Sequence, residues 1–191
     1  MGKLHSASEA SLALSEPYLE RLFENVEDYA DKIVIRNADI SNNLALIDRF
    51  GVIAVNSGLE VDLYGNVNST HVGGTHIRNG IGGSGDFNQN ALVSITALSS
   101  TASDGEIPRI VPMLPHTDRT EHDVSVVITE QGVSDLRGLA PRERASELIE
   151  NCAHLSYRSA LWSYLDRSKS EGGHIPHELE KAFAPLERKE L

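Results

Sequence analysis

The run Asn79-Gly80-Ile81-Gly82-Gly83-Ser84-Gly85-Asp86-Phe87 constrains this chain more than any other segment. Six of the 15 glycines fall between Gly73 and Gly85. Glycine enters left-handed backbone regions freely, and its missing Cβ lets a ligand approach bare N–H groups. So dense a cluster costs conformational entropy on folding, which reads as a site rather than a spacer. A loop that binds an anion or an acyl oxygen is the first functional expectation.

At 191 residues the chain has length for one good core or for one lobe of a larger enzyme. Its 40% hydrophobic and 24% charged residues are ordinary for a globular protein. The net charge of −11 argues against binding a phosphate backbone, because no basic stripe offsets it. No apolar run approaches the roughly 20 residues a membrane helix needs, and the N-terminus has no secretory h-region. Neither nucleic acid nor membrane is therefore expected as a partner. The single cysteine, Cys152, excludes an internal disulfide framework and suits a reducing cytoplasm.

Residues 1–14 read as a loose leader, and 15–191 as one domain. Ser15 can cap a helix over 16–30 that carries Pro17 in its first turn and Leu19, Leu22, Phe23 and Val26 at helical spacing. Residues 33–35 and 51–56 read as buried strands, with Asn42 or Asn43 capping a brief helix between them that ends near Phe50. Over 59–64 apolar and polar residues alternate as in a half-buried strand. Gly65-Asn66 is a turn, and 67–72 returns as a strand. Further strands are expected over 91–98, 109–114 and 124–129. Pro141 opens a helix with Ala145, Leu148, Ile149 and Cys152 on one stripe, followed by helices over about 156–167 and 176–184. Central strands with flanking helices predict an α/β domain with an open mixed sheet.

Gly80-x-Gly82-x-x-Gly85 matches the letters of the dinucleotide fingerprint. That fingerprint needs a buried strand before it and a helix after it, and Thr75-His76-Ile77-Arg78 is a poor buried strand. A nicotinamide-dependent fragment, a structural glycine turn and another ligand-facing loop remain three readings, the last preferred. His116, Asp118, Glu121, His122 and Asp123 crowd into eight residues and invite a metal reading. Their spacing fits no familiar zinc pattern, and Pro112 and Pro115 point to an irregular loop, so polar scaffolding is preferred and no metal site is assigned. Glu130 ends the apolar run 124–129, where groups beyond a strand's carboxyl end line the crevice of an α/β sheet.

Several long segments, in order, carry a resemblance. They are Val61-Asp62-Leu63-Tyr64-Gly65-Asn66-Val67-Asn68-Ser69-Thr70-His71, the glycine run, Thr120-Glu121-His122-Asp123, Thr129-Glu130-Gln131-Gly132, residues 135–145 and Asn151-Cys152-Ala153-His154. From about Leu12 to Asp166 the chain resembles the C-terminal domain of the acetyl-CoA hydrolase/transferase family, whose members include succinyl-CoA:acetate CoA-transferases. The resemblance implies a CoA-transferase-type α/β fold, two such domains per enzyme and an active site between them. It implies a glutamate that attacks an acyl-CoA thioester and then carries CoA as a glutamyl thioester. By resemblance Gly82 and Gly83 contact the oxyanion, Gly80, Ser84 and Gly85 complete the CoA-binding loop, and Asn42 and Glu130 are active-site polar residues. The segment that bears the family's nucleophile lies upstream of the matched motifs, so the isolated chain is expected to turn over little or not at all. The implied substrates are an acyl-CoA and a small carboxylate, with coenzyme A a substrate rather than a resident cofactor. An N-terminal lobe or subunit is the implied partner, and a homo-oligomer is expected. The alternative is a non-catalytic module that holds CoA or a nucleotide.

Overall fold

In a computed structural model, residues 5–183 are described. The elements run β1 (Ala7–Glu9), α1 (Glu16–Glu24), α2 (Val26–Ala30), β2 (Ile33–Ile35), α3 (Ala38–Ser41), α4 (Leu44–Phe50), β3 (Ile53–Ser57), β4 (Glu60–Asp62), β5 (Val67–Asn68), β6 (His71–Val72) and β7 (His76–Ile77). They continue with α5 (Ser84–Asn90), β8 (Val93–Ala97), β9 (Thr101–Ala102), β10 (Ile107–Pro108), β11 (Ile110–Val111), β12 (Val126–Thr129), β13 (Gly132–Asp135), α6 (Pro141–Asn151) and α7 (Leu155–Glu171). Short 3₁₀ turns occupy Glu121–Asp123 and Leu179–Lys181.

The largest sheet has the order β13-β12-β8-β3. Strands β3, β8 and β12 are parallel, and β13 returns antiparallel, so the mixed sheet is as expected. Register places Asn56, Thr96, Val127 and Ser134 in one row across it, on the same face as Ala54 and Ser94. All six are buried or half-buried. Mostly small side chains here let the covering helices approach closely. Asn56 Nδ2 donates to Asn88 Oδ1 of α5 at 2.6 Å, and Cys152, at the end of α6, donates its thiol to the Val127 carbonyl at 3.3 Å. Both helices therefore lie on this one face.

Beside it stands a smaller sheet, β11-β4-β5, whose three strands are buried throughout. Val61, Leu63, Tyr64, Val67 and Ile110 pack there against Leu148, Ile149, Leu161 and Leu165 to form the core. The predicted stripe of α6 is fully inside: Ala145, Leu148, Ile149 and Cys152 expose nothing. Asp62 is buried as well, because its carboxylate closes a turn: Oδ1 accepts the Tyr64 and Asn66 amides, and Oδ2 the Asn66 side chain. Gly65 supplies the φ of 96° that this turn requires.

The structure departs from expectation at several elements. Strand β4 is not half-buried but wholly inside, since β11 and β5 flank it and Asn66 and Asn68 satisfy its carboxylates. Strand β2 pairs only with β1 and leaves Ile35 61% exposed, so its apolar run is not a buried strand. That pairing also gives a strand to the segment expected as leader. The helix over 16–30 breaks at Asn25, and Ser15 makes no side-chain cap bond. Of the expected 176–184 helix, the described residues hold only the 3₁₀ turn. The brief helix before Phe50 is α4, capped by Asn43 Oδ1 at 3.2 Å from the Leu46 amide and closed by left-handed Gly51.

Candidate active site

The glycine run leaves the β6–β7 hairpin, turns through Gly80, Gly82 and Gly83, and enters α5. Its base is tied down: Arg78 and Asn79 donate their amides to the Thr70 carbonyl at 2.7 and 3.3 Å, and the Asn79 side chain reaches the Ser69 carbonyl. Further along, Ser84 Oγ donates back to the Ile81 carbonyl at 2.8 Å. Gly82 has φ 57°, which a side chain would strain. At Gly83 a Cβ would collide with the Asn42 side-chain amide. Built on Gly80 or Gly85, a Cβ would meet nothing within 4 Å. Glycine at those two positions therefore serves no packing need among the described residues.

Asn42 and Gly83 lie 41 positions apart in sequence and in contact in space. Ser41 Oγ donates to Asn42 Oδ1 at 2.9 Å, and Asn42 Nδ2 points at Asp86 Oδ2 at 3.4 Å. This leaves the amide braced from both ends beside the loop. Between the loop and the carboxyl end of β3 opens a cleft of about 390 Å³, lined by Asn56, Ser57, Ser69 and Asn79 through Ser84. Its wall is mostly polar backbone and short side chains. Such a surface suits a ligand with hydrogen-bonding oxygens better than an apolar one.

Glu130 follows β12 on the same carboxyl rim of the parallel strands, two strands from β3. At a strand spacing of about 4.8 Å it stands roughly 10 Å from the loop's side of the rim. It is not a wall of the cleft. Ser100, nearly fully buried after β8, binds it through the amide at 2.8 Å and through the hydroxyl. Desolvation opposes the charge, but the two Ser100 hydrogen bonds, Glu130's own amide and Gln131 outweigh it and hold the carboxyl at about 2. At neutral pH Glu130 is thus a fixed anion and holds no proton to give.

Of the crowded 116–123 segment, the structure brings His116 and Asp118 to His71, which the sequence pattern does not single out. Ligand atoms of these three lie within 4.8 Å of one another, a set with the chemistry to take a divalent ion. Hydrogen bonds already account for its arrangement. Asp118 accepts the Ser69 amide, the Ser69 and Thr70 hydroxyls and His116 Nε2. Desolvation notwithstanding, those donors hold its carboxyl below the ordinary range. The cluster braces Ser69-Thr70, and that segment in turn holds the base of the glycine loop. Glu121, His122 and Asp123 sit on their 3₁₀ turn outside it.

The fold and this rim fit the CoA-transferase class of α/β protein, and comparison with known proteins makes the family definite. The chain belongs to the acetyl-CoA hydrolase/transferase C-terminal domain family, whose model matches residues 19–165. It is 50% identical over 182 residues to the propanoyl-CoA:succinate CoA transferase of Escherichia coli, covering 95% of this chain and 37% of that protein. To the succinyl-CoA:acetate CoA-transferase of Clostridium kluyveri it is 50% identical over 184 residues, 96% of this chain and 34% of the relative. The acetyl-CoA hydrolase of Kluyveromyces lactis is 47% identical, over 95% of this chain and 36% of its own length. Among solved structures, RipA from Yersinia pestis matches 79% of this chain and 35% of its own at 30% identity, with a TM-score of 0.68. The 4-hydroxybutyrate CoA-transferase of Porphyromonas gingivalis matches 85% of this chain and 37% of its own at 30% identity, with a TM-score of 0.62. The chain thus spans about a third of the length of the relatives it matches. No helix among the described residues is long and apolar enough to cross a membrane.

Proposed function

We propose that this domain, residues 15–191, forms the CoA-thioester half of an acyl-CoA hydrolase or CoA-transferase acting in the cytoplasm. The observation that carries the reading is the glycine-lined polar cleft, whose wall residue Gly83 is in contact with Asn42, itself not a wall of the cleft. The thioester oxygen takes hydrogen bonds from the Gly82 and Gly83 amides, with Gly80, Ser84 and Gly85 framing the loop. A carboxylate supplied by polypeptide outside this chain attacks the thioester carbon, and the C=O electron pair moves onto that oxygen. When the intermediate collapses, the C–S bond breaks, CoA leaves as thiolate and an acyl anhydride remains. Return of the thiolate to the anhydride gives an enzyme-bound CoA thioester and frees the acyl carboxylate. Charge gathers on one oxygen in each step, and backbone amides held by the loop stabilise it.

Asn42 orients the acyl group from the other side of the oxygen. Glu130 acts as the fixed anion described above, which favours a positioning role over proton transfer. Coenzyme A is a substrate here, and a small carboxylate is its exchange partner. Co-expression of this chain with the part of the Escherichia coli relative outside the matched region tests the reading through exchange between succinyl-CoA and acetate or propanoate. Exchange is expected, and Asn42→Ala should slow it by about a hundredfold. A folded complex that exchanges neither succinyl-, propanoyl- nor acetyl-CoA would overturn the assignment.

A further inference from the structure

Arg119 carries a positive charge into the interior without a counter-charge. The residue is 2% exposed, and its guanidinium makes one hydrogen bond, from Nη2 to the Ser57 carbonyl at 3.1 Å. Nε and Nη1 are buried with no acceptor among the described residues. No carboxylate among those residues forms an ion pair with it. Asp118 precedes it in the chain, but the oxygens of that carboxylate are taken up by Ser69, Thr70 and His116. Burial lowers the guanidinium pKa, and the charge of Asp118 offsets this only in part. An arginine nevertheless keeps its proton inside a protein, so the charge stays. Buried charges are ordinarily paired, because an unpaired one is costly.

Further donors stand on the same side. Arg119 opposes Val67 across an antiparallel bridge, so the two side chains project together. A Cβ on Gly58 would lie 3.2 Å from Val67 Cγ1 and 3.2 Å from Thr96 Cγ2, which brings Thr96 to that side. Thr96 is fully buried, and its hydroxyl has no partner among the described residues. Nor has Nδ2 of Asn88, 4% exposed, whose Oδ1 is held by Asn56, the register neighbour of Thr96. A cation and two neutral polar groups therefore stand unmet next to Asn56 and Ser57, two walls of the cleft, while none of the three lines it. We propose that Arg119, Thr96 and Asn88 form a binding site for one small monovalent anion, a halide or a short carboxylate such as acetate. Arg119 Nε and Nη1 supply charge-assisted hydrogen bonds, the strongest kind available to such an ion. A water would accept those bonds but leave the charge unbalanced. Side chains this buried admit a small ion and exclude a bulky one such as gluconate. Bound there, the anion fixes Arg119 and, through it, the Ser57 carbonyl beside the cleft. The proposal does not depend on the function proposed above.

Denaturant unfolding of the full chain at constant ionic strength tests this, with chloride or acetate replacing gluconate in steps. The midpoint should rise saturably with chloride, with acetate or with both, and whichever acts identifies the class of ion. Arg119→Met should abolish the rise, or lift the half-effective concentration by more than about tenfold, and Arg119→Lys should retain part of it. Arg137→Met removes an exposed arginine paired with Asp135 and should leave the response unchanged. Crystals of the full chain soaked in the ion that acts, with bromide standing in for chloride, should show it beside Arg119 Nε or Nη1. The crystal keeps the test decisive even where Arg119→Met fails to fold. No response to either ion, an equal response in Arg119→Met, or a response only at molar concentration (an adventitious ion only) would each overturn the proposal. So would an ordered water, or a carboxylate of the polypeptide, found against Arg119 in the soaked crystal.

Discussion

Asp62 shows how far a single side chain's setting can depart from its sequence pattern. Burial raises its carboxyl from 3.8 to about 6, with the Asn66, Tyr64 and Gly65 hydrogen bonds offsetting only part of the desolvation. A raised folded pKa means that the native state holds the proton more tightly than the unfolded chain does. This group's contribution to stability is therefore full below about pH 3.8 and lost as pH rises through about 6. Denaturant unfolding at pH about 4.5 and about 7.5 should show the parent losing about 2 kcal/mol relative to Asp62→Asn across that interval. Parallel pH profiles for the two proteins would contradict this. Glu130 is the opposite case, a carboxylate whose donors from Ser100 and Gln131 keep it ionised well into acid. Nothing in the letters Thr129-Glu130-Gln131 signals Ser100, which lies 30 residues away and meets Glu130 only because β8 and β12 are neighbours.

At the level of elements, helices with a strong apolar stripe or a plain cap were legible. The stripe of α6 is buried as its spacing predicts, and Asn43 caps α4 where an Asn was expected to do so. Asn43→Ala should remove about 1 kcal/mol, read as a lower denaturant midpoint with an unchanged slope. A shift below a few tenths of that would show that the cap bond contributes nothing. Other elements were hidden for physical reasons. Ser-Gly-Asp-Phe-Asn-Gln-Asn has no apolar periodicity and, Gln89 apart, no good helix formers, so α5 leans on tertiary partners such as the Asn56–Asn88 hydrogen bond to β3 rather than on local preference. Strands β2 and β3 carry the letters of buried strands, yet burial is a property of whatever covers them. For β3 one face is covered and the other is bare. Of the site, the loop and Asn42 were legible through the resemblance. Their contact, and the brace of His71, His116 and Asp118 beneath, depend on the tertiary fold and have no signature along the chain.

Taken whole, the described residues form an α/β domain with a polar cleft at the carboxyl end of β3, a strand that also leaves Ile53 and Val55 exposed. The chain spans about a third of the length of its relatives. In the function proposed above, the glycine run, dense beyond any packing need among the described residues at Gly80 and Gly85, would cradle the oxygen and CoA moiety of a thioester. Isothermal titration of CoA into the full chain tests that claim most directly, beside Gly83→Val with its fold verified by circular dichroism. Saturable binding at one CoA per chain is expected, weakened by more than about tenfold in the variant, whose side chain must displace Asn42. CoA binding that survives Gly83→Val undiminished would contradict the account.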